Sequence, residues 1–165
     1  MPLAGAIAWT VAGVAGALLP PALKVWVLFG AVGSIAYLGM FLSRLTGENF
    51  LDKRRPRNVF DGLFLRTVVE ALLVFAIAIP YFRADYTSLP LSVGVLSGLM
   101  WLPFSWIIQH WIGTFHTLAR TALVTASWYL LPSLRYVVVP AVIVATYAVT
   151  MVVLEARWRR IQRLQ

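Results

Sequence analysis

Residues 136–154 read YVVVPAVIVATYAVTMVVL, without one charged side chain. A helix needs roughly 17–25 such residues to cross a bilayer. Continuous apolar runs of this length cannot alternate a wet face with a dry one, so they argue for helices in lipid and against a β-barrel. The same rule marks six candidate helices, at residues 3–19, 25–42, 63–82, 89–108, 115–131 and 136–154. Between and after them lie a basic loop, 43–61, and a basic tail, 155–165. Only 12% of the residues are charged, against about 25% in a soluble domain. The expected fold is an all-α, polytopic membrane helical bundle forming one domain over residues 1–165.

The net charge of +8 would fit nucleic acid if it covered a soluble face. Here the cations flank apolar runs, so orientation in a membrane explains them and nucleic acid is not an expected partner. Arg44, Lys53, Arg54, Arg55 and Arg57 crowd the second connection, and Arg157, Arg159, Arg160 and Arg163 the tail. The alternate connections hold Lys24, Arg83 and Arg135. Six spans put the rich segments on one side, and the positive-inside rule makes that side cytoplasmic, with both termini. The first apolar run has no basic residue before it, unlike a secretory signal, and is read as a retained helix. Trp26, Tyr81, Tyr86, Trp128, Tyr129 and Tyr136 then fall near the outer ends and Trp106, Trp111 and Trp158 near the inner ends, with Trp101 left for the core. Pro20 and Pro21, Pro80 and Pro90, and Pro132 and Pro140 are expected to bracket the outer connections.

Polar residues inside the runs are few: Arg66, Glu70, Gln109, His110, His116 and Arg120. A charged residue at the centre of a span costs about 2.5–3.5 kcal/mol on insertion scales, so it needs a partner or a purpose. His116 lies one helical turn from Arg120, and Arg66 one turn from Glu70. The expectation is a polar cluster facing the bundle interior, with Glu70 bonded to Arg66 or Arg120. Two arginines against one glutamate would leave a cationic cytoplasmic vestibule suited to a carboxylate, phosphate or lipid head group. The competing reading makes the same residues a structural pair that fixes helix packing.

Pro103, in GLMWLPFSWIIQHW, should kink or break the fourth run, with Gly98, Ser105 and Gln109 available to satisfy the freed groups. His110 and His116 are six positions apart, which does not bring two ligands to one helical face. No cysteine, HExxH, GxSxG or phosphate-binding loop exists. No metal, cofactor or catalytic residue is therefore expected, and the two histidines read as interfacial. Lys53, Arg54, Arg55 and Arg57 form a lipid-facing basic loop that would attract anionic membrane lipids. Gly5, Ala8, Ala12, Gly13 and Gly16 make a small-residue stripe on the first helix, suited to close packing within or between chains, and the expected homodimer or other homo-oligomer has this face at or near its interface.

NVFDGLFLRTVVEALLVFAIAIP, followed by SVGVLSGLMWLPFSWIIQHWIGTFHTLARTALV, resembles a family of small, uncharacterised bacterial inner-membrane proteins. The resemblance runs over the second to sixth helices and rests on Asn58–Phe60, Pro80 and the polar-aromatic segment before Arg120. It implies a multi-span protein of the bacterial inner membrane and carries over no catalytic or binding residue. Three functions follow in order: a small transporter or channel-like protein, a non-catalytic factor binding lipid or another membrane protein, and a lipid-modifying enzyme with a histidine base.

Overall fold

Every described element is helical, because runs of Leu, Val, Ala and Ile leave the backbone no polar partner but itself. The computed structural model describes residues 2–45 and 59–163. Lys53, Arg54, Arg55, Arg57 and Asn58 lie outside the described residues, as do the side chains of 43–45, 59–61, 63–65, 67, 68 and 70–72, Glu70 among them. The α-helices are α1 (Pro2–Leu18), α2 (Pro21–Gly33), α3 (Ile35–Leu45), α4 (Val59–Ala84), α5 (Leu89–Leu99), α6 (Trp101–Ile108), α7 (Ile112–Leu130) and α8 (Arg135–Gln162). Short 3-10 turns at Tyr86–Ser88 and Pro132–Leu134 lead into α5 and α8.

Two stretches, Tyr86–Ile108 and Pro132–Gln162, are long and apolar enough to cross a membrane. A third qualifies if α2 and the start of α3, bent by 44°, count as one span. That bend falls at Gly33–Ser34, where the Ser34 hydroxyl donates back to the Ala31 carbonyl at 2.8 Å, a usual origin of kinks. The chain thus has the helices of a membrane protein.

Pro103 acts one turn upstream of itself. Its ring presses on the carbonyl four residues back and it offers no N–H. α5 accordingly ends at Leu99 and α6 restarts at Trp101, with Phe104 N reaching Met100 O at a long 3.4 Å. Pro103 itself sits in the first turn of α6, where a missing donor costs least. Pro21 and Pro90 also occupy helix starts. Pro80 and Pro140 depart from the expectation of bracketing prolines, since both lie inside helices.

The core is built mainly by α1, α5, α7 and α8, with Leu28 of α2 and Trp101 of α6 completing it. α1 crosses α8 closely because its glycines present no side chain: a Cβ on Gly16 would strike the Tyr136 carbonyl, one on Gly5 the Tyr147 ring, and one on Gly13 would sit 3.1 Å from Pro140 Cβ. Trp9, Ala12, Leu28, Val93, Trp101, Val124, Val139 and Ile143 fill the space around this crossing. The stripe, expected to pack helices within or between chains, is used within this one, against α8. A small-residue stripe specifies close approach, and here the nearest complementary surface is α8. α7 lies against α5, α6 and α8, so its inward face reaches the centre of the bundle.

Candidate functional site

α7 turns Ile112, Gly113, His116, Thr117, Arg120 and Val124 inward, a helical stripe with spacings of one, three and four. Arg120 therefore enters the core rather than snorkelling, and it is 0% exposed. Its Nε donates to the Gly94 carbonyl at 2.7 Å and its Nη2 to Ser97 Oγ at 2.6 Å. Nη1 reaches Tyr147 Oη at 3.4 Å, a weak contact by length. Ser97 Oγ passes its own hydrogen to the Val93 carbonyl. The guanidinium lies 5.4 Å from the centre of the Trp9 ring and 5.6 Å from that of Tyr147.

α5 makes room for this side chain. A Cβ on Gly98 would fall 2.9 Å from Arg120 Cδ and 3.2 Å from its Nε, so the arginine stem lies across the glycine. Thr117 Oγ1 donates to the Gly98 carbonyl at 3.1 Å, beside the break that Pro103 imposes. Gly94 and Ser97 thus supply acceptors for Arg120, and Gly98 supplies the room for its stem. Sequence reading missed this use of them, although Gly94-x-x-x-Gly98 is a close-contact pattern. Tyr147 and Thr150 were missed because they sit in the most apolar run of all.

His116 is also 0% exposed, which corrects its reading as an interfacial histidine. Its ring stacks on Trp101 with centroids 4.4 Å apart and tilts against Tyr147 at 4.9 Å. Nδ1 lies 2.8 Å from Thr150 Oγ1. The four-residue spacing to Arg120 places both groups in one cluster with Trp9, Trp101 and Tyr147.

The other expected members do not join it. Arg66 is exposed, so it adds no charge to a buried interior. Gln109 is exposed at the C-terminal end of α6, with left-handed φ of 49° and its Nε2 donating to the Trp106 carbonyl at 2.6 Å. His110 stacks on Trp111, and its Nδ1 accepts from Ile112 N at 3.3 Å. Ser105 Oγ ties this corner together by donating to the His110 carbonyl at 2.5 Å. The bond of Glu70 to Arg66 or Arg120 lies outside the described residues.

Both described carboxylates are engaged elsewhere. Glu155 pairs with Arg159 at 2.8 Å on the exposed end of α8. Asp85 belongs to the corner between α4 and α8, 3.7 Å from Arg135 Nη1. There Thr87 donates to both carboxyl oxygens, through its hydroxyl and its backbone N–H, at 2.8 Å each. These bonds, helped by Arg135, hold the Asp85 carboxyl below its ordinary range. Arg135 also covers the Trp128 ring at 3.8 Å, and Tyr136, expected in an aromatic belt, is instead buried with its hydroxyl on the Tyr86 carbonyl at 2.7 Å. This corner is a latch in which the charged groups are bonded to one another and to Thr87. Among the described residues, the buried cation at Arg120 is met by neutral acceptors alone.

The chain belongs to the DUF7010 family, a family of unknown function, whose model matches residues 1–157. No curated protein and no solved structure matches it.

Proposed function

We propose that this protein is a small anion transporter or channel-like protein of the bacterial inner membrane, and that Arg120 is where the anion binds. One observation carries this reading: a guanidinium 0% exposed, held by Gly94 O, Ser97 Oγ and Tyr147 Oη, with no carboxylate beside it among the described residues. Burying a net charge is costly, and a bound anion would offset that cost while the five N–H donors give it direction. In proteoliposomes, uptake of a small anion should follow the wild-type protein and fall at least about tenfold in Arg120→Gln, as loss of a charge-assisted bond implies. Equal flux through both proteins would end this reading.

The proposal includes six crossings with both termini in the cytoplasm, supported by the charge split between alternate connections. A cysteine placed by Arg57→Cys should then react in intact cells only with a membrane-permeant reagent. Full labelling by an impermeant maleimide would overturn the topology without touching the site.

A second reading has its own support. The Arg120 stem fills the space over Gly98, and its donors clasp α5 from α7. On this reading the side chain is a staple, and the protein is a non-catalytic membrane factor.

A further inference from the structure

The bonding of Thr150 favours one tautomer of His116. Its hydroxyl donates to the Thr146 carbonyl, 2.9 Å away in the same helix, and a hydroxyl has one hydrogen to give. The 2.8 Å contact between His116 Nδ1 and Thr150 Oγ1 must then be made by an Nδ1–H donor. Neutral imidazole carries one N–H, so Nε2 presents a bare lone pair. That atom is fully buried and has no hydrogen-bond partner among the described residues.

The other partnerless polar atoms of this cluster are of the opposite kind. The Trp101 ring that stacks on His116 and the Trp9 ring beside the guanidinium each carry an indole N–H that is buried and without a partner among the described residues. Arg120 adds further N–H donors, and its weakest bond, to Tyr147 Oη at 3.4 Å, is the one most easily given up. Among the described residues, one aromatic cluster therefore holds several donors and a single unused acceptor, where buried polar groups are ordinarily paired.

We infer that the anion taken by this site is an oxyanion that still carries a hydroxyl, such as hydrogencarbonate or hydrogenphosphate, with its O–H donated to His116 Nε2 and its charged oxygens facing Arg120. An aprotic anion would bring negative charge against the imidazole lone pair and leave it unsatisfied. A hydroxyl reverses that contact from repulsive to bonding. Sites built to bond a hydroxyl reject ligands that lack it far better than apolar pockets reject an added group. The inference rests on anion binding at Arg120 and adds the class of anion.

The test uses pairs matched in charge and shape: hydrogencarbonate against nitrate, and hydrogenphosphate against sulfate. Binding is read by melting shifts of the full-length protein in lipid nanodiscs at constant ionic strength. Wild-type protein should prefer the hydroxyl-bearing member of each pair by at least about tenfold in Kd. His116→Phe should bind both members alike. Equal binding of both members by wild-type protein would overturn the inference and leave the anion site standing, whereas no response to any of the four anions would overturn the site itself. The tautomer has its own readout, independent of whether His116→Phe folds: nitrogen NMR of histidine-labelled wild-type protein should show Nδ1 protonated and Nε2 bare. An Nε2–H tautomer would overturn the inference.

Discussion

Gly16→Ala should lower the stability of the bundle by about 2 kcal/mol, although alanine is the better helix former. Its methyl group would meet the Tyr136 carbonyl. A backbone atom cannot rotate aside as a side chain can, so α1 and α8 must separate along their crossing. Gly16→Leu should be worse still. Gly30→Ala supplies the control, since a Cβ there meets nothing within 4 Å, and it should gain up to about 1 kcal/mol from helix propensity alone. Melting of the three variants in a bilayer mimic checks the ranking. A neutral Gly16→Ala would mean that α1 and α8 are not in contact at this point.

Replacing Arg120 should depend on the shape of its substitute more than on the lost charge. Arg120→Ala empties a fully buried site and should cost about 3–5 kcal/mol, the range for deleting a large core side chain. Arg120→Met keeps much of the volume and removes the buried cation. The acceptors left behind are not stranded, because Ser97 Oγ still donates to Val93 O and Gly94 O still belongs to the α5 backbone. Arg120→Met should therefore fall within about 1 kcal/mol of wild type, as replacement of buried ionic groups by apolar ones often does. It should also lose any response to anions, which separates a binding residue from a staple. If Arg120→Met proves as damaging as Arg120→Ala and Glu70→Gln rescues it, a buried Arg120–Glu70 pair is present, and the neutral-acceptor account fails.

The all-helical class was legible because apolar runs as long as residues 136–154 leave the backbone one way to satisfy itself. The break near Pro103 was legible too, since the missing donor and the ring clash are local. Arg120 and His116 could be placed together from their spacing alone. Their partners could not. Gly94 serves through a carbonyl, an atom every residue has, and nothing in its letter says that a guanidinium will find it. Thr150 and Tyr147 lie in a run whose composition announces lipid, so their polar atoms were discounted. The stripe on α1 illustrates the other limit: small residues say how near a neighbour comes, while the identity of that neighbour depends on how the whole chain closes.

That closure joins helices far apart in the order of synthesis. α5 precedes α7 in the chain, so Gly94 and Ser97 are synthesised before the Arg120 that they bond. These acceptors of the cation are thus made before the cation itself. Tyr147 and Thr150, by contrast, belong to α8, and so does the surface that covers the glycines of α1. In the order of the chain, two of the arginine's partners come before it and the histidine's partners on α8 come after it. The glycine face of α1 has to wait for the last helix of the chain to supply the surface that covers it.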